Sequence, residues 1–169
     1  MESLLIRPEQ PADEPAISRL TEAAFASKPH SSHTEQFIID ALRRHQQLTV
    51  SLVAVAAGQV VGHVAISPVV ISSGAVGWYG LGPVAVEPAR QQQGIGSRLI
   101  HAALTELRQR GAVGCVVLGE PGYYGRFGFQ AEPTLVLPGV PPPYFQALTF
   151  QGNIPVGTVR YHEAFEATA

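Results

Sequence analysis

The run Val84-Ala85-Val86-Glu87-Pro88-Ala89-Arg90-Gln91-Gln92-Gln93-Gly94-Ile95-Gly96-Ser97-Arg98-Leu99-Ile100-His101-Ala102-Ala103-Leu104 joins three kinds of local pattern. A short apolar stretch stops at Pro88. A polar turn with two glycines follows. From Ile95 the pattern becomes helical: Ile95, Leu99, Ala103, Leu104 and Leu107 recur at spacings of three and four and give a buried face. Arg98, Glu106, Arg108 and Arg110 give the wet face, and Gly111 ends the helix. Glycines let backbone approach a ligand closely. The first turn of a helix presents unpaired N–H groups and the positive end of the dipole, which suits phosphate. A glycine-rich helix start with no ligand has the same pattern, so both readings stand here. A dinucleotide fingerprint is excluded, because Leu99 occupies its third glycine position, and a P-loop is excluded because no Gly-Lys-Ser/Thr is present.

Upstream, residues 49–57 and 60–71 are rich in Val, Ile and Ala. Gly58-Gln59 reads as the turn of an antiparallel hairpin. After Ser72-Ser73-Gly74, residues 76–86 form a further strand. Gly80, Gly82 and Pro83 within it predict pairing that breaks midway, since glycine marks bulges and proline lacks a ladder donor. Nearer the start, residues 3–7 read as a strand. A helix over 13–25 carries Ile17, Leu20, Ala24 and Phe25, and Ser32 with Glu35 predicts a capping box opening a second helix with Ile38, Ala41 and Leu42 inside. Downstream come a buried strand at 113–118, a short helix at 121–126, strands at 129–137 and 156–161, and a proline-rich connector at 138–143. No linker or repeat divides residues 1–169. The expectation is one α/β domain with a mixed sheet.

Composition narrows the function. Of 169 residues, 46% are hydrophobic and 14% charged, which excludes a disordered chain. Eleven basic residues against thirteen acidic ones give a net charge of −2, without the basic excess of a nucleic-acid binder. Ten of the eleven are Arg, and Lys28 is the exception. The single cysteine, Cys115, excludes an internal disulfide and a cysteine-based zinc site; no metal is expected. It reads as a small buried residue in a reducing, cytoplasmic setting. No apolar run is long enough for a membrane span, and Met1-Glu2-Ser3 lacks the start of a signal peptide.

Gln91-Gln92-Gln93-Gly94-Ile95-Gly96 resembles the Gln/Arg-x-x-Gly-x-Gly/Ala signature with which the GNAT superfamily of N-acetyltransferases binds acetyl-CoA. Tyr124-Gly125-Arg126-Phe127-Gly128-Phe129 resembles the Tyr-x-x-x-Gly-Phe that follows the fifth strand of that superfamily. Leu118-Gly119-Glu120-Pro121 and Gly157-Thr158-Val159-Arg160-Tyr161 are similar to its YhbS-like branch. The element order agrees over nearly the whole chain. The resemblance implies a mostly antiparallel mixed sheet, splayed between strands four and five and flanked by helices. It implies acetyl-CoA as donor, a small-molecule or protein amine as acceptor, direct attack in a ternary complex, and a homodimer as a common assembly. A non-catalytic acyl-CoA-binding module, or a transferase for a longer acyl group, fits the same motifs.

Residue by residue, the resemblance places the backbone of Val84, Ala85 and Val86 along the pantetheine arm, and Gln91, Gln92, Gly94, Ile95, Gly96 and Ser97 around the pyrophosphate. It makes Tyr124 the acid that protonates the departing thiolate, with Tyr123 a packing residue. The attacking amine must be neutral, and a free lysine amine, with a pKa of about 10.4, holds its proton far more tightly than an α-amine of about 8. Candidate bases are Glu35, His63, Glu87 and Glu120. Glu35 also reads as a capping acid, His63 as a structural histidine and Glu87 as an exposed strand end. Glu120, close in sequence to Tyr124, is the one carried forward.

Overall fold

The computed structural model describes residues 3–169; Met1 and Glu2, part of the N-terminal stretch considered above, lie outside it. Strand β1 (Leu4–Pro8) leads through a 3₁₀ turn into α1 (Glu14–Phe25) and α2 (Glu35–Arg44). The meander β2 (Val50–Ala56), β3 (Gln59–Ile71) and β4 (Trp78–Val86) follows, then α3 (Ile95–Gln109) and β5 (Gly114–Leu118). The remainder is α4 (Pro121–Tyr124), β6 (Leu135–Val136), β7 (Phe145–Thr149) and β8 (Gly157–Tyr161). The sheet runs β1-β2-β3-β4-β5-β7; β8 joins the far end of β3 and pairs in parallel with β6.

Both faces of the sheet are covered, as apolar side chains on both sides of β2–β4 require. On one face α3 buries Ile95, Leu99, Ile100, Ala103, Leu104 and Leu107 against Val50, Leu52, Val64 and Ile66. On the other, Ile17 and Ile39 meet Val53, and Leu20 and Ala24 meet Ala85. The Gly82-Pro83 interruption does what its sequence predicts. β3 pairs with β4 from Pro68↔Tyr79 to Ile66↔Leu81, and the register shifts before resuming at Val64↔Val84. Gly82 there has φ +130°, a backbone that side chains rarely adopt. The parallel ladder between β4 and β5 covers only Trp78↔Gly114 to Leu81↔Val117. Beyond Leu81 the two strands part, and the splay opens.

Three glycines around this seam each carry an aromatic ring where a side chain would stand. A Cβ on Gly80 would collide with Tyr161, one on Gly114 with Trp78, and one on Gly119 with Tyr124.

Four local expectations are corrected. The hairpin turn is Ala57-Gly58, φ +50° and +76°, one residue earlier than Gly58-Gln59; two left-handed residues are what a two-residue turn between twisted strands needs. Ser32 does not cap α2: its hydroxyl meets Thr34, while Ser31 donates to the Glu35 carboxylate at 2.7 and 2.8 Å. The strand expected over 129–137 shrinks to Leu135–Val136 and a lone bridge from Gln130 to Ala147, with Pro133 between them. In its place Phe145–Thr149 forms β7, antiparallel to β5.

Candidate active site

Gly94 is the N-cap of α3, with φ +85° and no side chain capping the helix. The N–H groups of Ile95, Gly96 and Ser97 therefore open onto a cleft with the positive end of a fifteen-residue helix behind them. Gln91 shapes the turn by donating from Nε2 to the Val86 carbonyl at 3.1 Å, tying it to the end of β4. The cleft, about 560 Å³, is lined by Val84, Val86, Gln91, Gln92, Gly94, Ile95, Gly96, Ser97 and Tyr124 among others. Eight of the nine residues expected at the cofactor thus line this cleft. The ninth, Ala85, alternates to the opposite face of β4 and packs on Leu20 and Ala24, so only its backbone can take part.

Tyr124 lies in α4 directly after β5. Its ring stands over Gly119 and edge-on to Tyr123 and Phe129, with centroids 5.0 and 6.1 Å away. Burial pushes its hydroxyl up to about 12, so it is protonated at neutral pH. Tyr123, expected to pack, also lines the cleft with its hydroxyl beside Gly96, and Arg126 lies over its ring, 4.5 Å from the centroid. Burial raises the Tyr123 hydroxyl as well.

Lys28, Arg90 and Arg126 also line the cleft, with no carboxylate among the lining residues. Arg126 is anchored by a hydrogen bond from Nε to the Tyr123 carbonyl at 3.0 Å, and Arg90 reaches Glu87 at 3.3 Å. Sequence reasoning passed over these cations, although Arg90 adjoins Gln91 and Arg126 sits inside the Tyr-x-x-x-Gly-Phe match. Lys28 gave no signal, because only the end of α1 folding over β4 brings it there.

None of the four candidate bases lines the cleft. Glu35 is engaged by Ser31. His63 is fully buried and held to the Ser51 hydroxyl at 2.8 Å, and burial lowers it to about 4. Glu87 pairs with Arg90. Glu120 is exposed at the N-cap of α4, where its carbonyl accepts from the Tyr124 N–H at 3.0 Å. A larger cavity of about 790 Å³ lies against β8, lined by Arg160, Tyr161 and Glu163 among others, but none of the glycine-turn residues faces it. Among the described residues no cluster of His, Cys, Asp or Glu could hold a metal, and no helix is long and apolar enough to cross a membrane.

The acetyltransferase (GNAT) domain family matches residues 5–131, which takes in the glycine turn, the splayed strands and the tyrosine of the cleft. This chain is a GNAT-family acetyltransferase. It is 38% identical over 128 residues to the uncharacterized N-acetyltransferase YhbS of Escherichia coli K12, a match covering 75% of this chain and 74% of that one. The crystal structure of YhbS from Escherichia coli in complex with CoA superposes with a TM-score of 0.89 at 34% identity, covering all of this chain and 95% of the other. A GNAT family acetyltransferase from Brucella melitensis, in complex with acetyl-CoA, is 50% identical with a TM-score of 0.88, over 98% of this chain and 99% of the other. The GNAT fold expected from the two motifs, splayed between its fourth and fifth strands, is the fold found.

Proposed function

We propose that this GNAT chain transfers acetyl from acetyl-CoA to a primary amine by direct attack in a ternary complex. One observation carries the reading: an uncapped, glycine-started helix and a half-buried, protonated tyrosine share one cation-lined cleft. The pyrophosphate lies on the N–H groups of Ile95, Gly96 and Ser97, flanked by Gln91, Gln92 and Gly94. The pantetheine arm runs along Val84, Ala85 and Val86, beyond the point where β5 stops pairing with β4, into the splay. Complexes of two relatives with CoA and acetyl-CoA support this placement.

The amine nitrogen attacks the thioester carbonyl carbon. The carbon–sulfur bond breaks, and the electron pair leaves on sulfur. Tyr124 supplies the proton that the thiolate takes up. Since no carboxylate or imidazole lines the cleft, the amine arrives neutral or loses its proton through water, with the Glu120 carboxylate as the base that receives it. We place this chemistry in the cytoplasm, with the acceptor a small or protein-borne amine.

Tyr124→Phe tests the assignment. General acid help is worth about 10²–10⁴ in rate, and the lower end applies because a thiol with a pKa near 8.5 is already a fair leaving group. We expect turnover to fall about 100-fold by steady-state kinetics on an accepted amine, with acetyl-CoA affinity by calorimetry unchanged. Turnover within twofold of the parent returns Tyr124 to a packing role. Binding without turnover across a broad panel of amines identifies an acyl-CoA-binding module instead.

A further inference from the structure

We propose that Lys28 is a self-acetylation site, the chain's own amine serving as acceptor within its own cleft. The proposal rests on the reading that acetyl-CoA occupies that cleft. Lys28 is the only lysine of the 169 residues, and it falls in the lining of the cleft that holds Tyr124 and the α3 start. The fold accounts for this placement. Ala24 and Phe25 close α1 over the end of β4, with Ala24 packed on Ala85. The Lys28 N–H then bonds the Phe25 carbonyl at 3.1 Å, which turns the chain back over the cleft.

The three cations in the lining differ chemically. Arg90 and Arg126 keep their protons at any working pH and cannot attack a carbonyl. A lysine amine can lose its proton, and the neutral form is the nucleophile that the reaction uses. The Lys28 side chain is exposed on the segment between α1 and α2 and is therefore free to change rotamer, whereas Arg126 is fixed by the Tyr123 carbonyl and ring.

In the step, neutral Nζ attacks the thioester carbonyl carbon of bound acetyl-CoA. The carbon–nitrogen bond forms, the carbon–sulfur bond breaks, and CoA leaves as thiolate. The proton released by nitrogen balances the one the thiolate takes up. The products are Nζ-acetyl-Lys28 and CoA. Acetylation also removes one of the three cleft cations, which lowers affinity for an anionic cofactor. At an exposed position the effect is about two- to fivefold in Kd.

The experiment incubates the purified full chain with acetyl-CoA and no added amine. It follows intact mass, maps the modified peptide, and measures acetyl-CoA binding in parallel by calorimetry. The expected result is one acetyl group on Lys28, appearing at a rate independent of protein concentration and rising with pH. It should be absent from K28R and from a variant that cannot bind the cofactor, Gly96→Asp. K28Q, which mimics the neutral side chain, should show the two- to fivefold weaker binding. A protein that binds acetyl-CoA but leaves Lys28 unmodified overturns the proposal. So does acetylation that persists in Gly96→Asp or scales with protein concentration. Failure of the parent protein to bind acetyl-CoA at all removes the cofactor reading itself, and calorimetry separates that failure from the other two.

Discussion

Arg43 and the cleft at the start of α3 make opposite uses of positive charge. Arg43 donates from Nε and Nη2 to the Glu9 carboxylate at 2.8 and 2.9 Å and from Nη1 to Asp40 at 3.0 Å. Ser51 donates to the same Glu9 and contacts His63 Nε2 at 2.8 Å. This cluster ties the exit of β1, strands β2 and β3, and α2 together. Burial opposes ionisation of Glu9, but the bonds from Arg43 and Ser51 outweigh it and hold its carboxyl below the usual value. The cleft gathers Lys28, Arg90 and Arg126 around uncapped N–H groups, with no acid in its lining. Charges matched inside the chain hold the fold together, and a cleft lining in which cations outnumber acids, with Glu87 on Arg90 just outside it, suits an anionic ligand. Stability and binding should therefore respond to different residues.

An all-or-none effect on cofactor binding separates the two regions outright. A Cβ at Gly96 would meet Tyr123 Oη at 3.5 Å and Val86 Cγ2 at 3.6 Å, ordinary contact distances, so the free protein accommodates a small side chain. Gly96→Asp places a carboxylate where the cofactor phosphates belong. Acetyl-CoA at 100 times its Kd should stabilise the parent by about 2.7 kcal/mol, and this variant should lose that increment while its ligand-free melting temperature holds. An undiminished thermal shift would dissolve the distinction between the regions.

Acid should act on the other region. Burial lowers His63 from 6.5 to about 4. As pH falls from 6.5 to 4, the unfolded chain binds a proton there that the folded protein does not. Stability drops through this window by about 3 kcal/mol, and the loss from this group is complete below it. Glu9 adds a loss in the same direction, at the acid end of the range, as its depressed carboxyl is protonated. Urea unfolding across pH should show the decline, and His63→Gln should flatten it between 6.5 and 4. An identical slope in that variant would mean that other groups carry the acid sensitivity.

The smallest effect belongs to neither region. Glu120 is exposed and outside the cleft lining, so Glu120→Gln should lower turnover by no more than about fivefold, in keeping with the modest worth of an exposed charge. The deficit should shrink as pH rises and more amine is already neutral. Equal rates from pH 6 to 9, a span that brackets an α-amine pKa of about 8, would leave water as the sole proton acceptor.

Much of this was legible in the sequence where the signal is local. The periodicity of α3, the break at Gly82-Pro83 and the two glycine motifs each lie within a few residues, and the structure sets them where those patterns require. What escaped depends on distant partners. Phe145–Thr149 follows four prolines and becomes a strand only because β5 offers an edge to pair with. Residues 129–137 look extended but enter a strand ladder or bridge only at Gln130 and at Leu135–Val136. Ser31 rather than Ser32 meets Glu35, a choice between neighbours that spacing rules do not resolve. In the cleft, the residues of the turn were readable. Lys28 and the role of Tyr123 were not, because α1 and α4 must first close over β4 and α3.

The rings standing over Gly80, Gly114 and Gly119 bear on how such a protein can diverge. At each position, gaining a methyl group expels a neighbouring aromatic, and shrinking the aromatic leaves a void over bare backbone. Each pair is energetically coupled, so neither partner drifts alone without cost. Two of the pairs brace the β4–β5 seam, and the third sets the ring of Tyr124. The path of descent through this part of the fold thus runs through paired replacements.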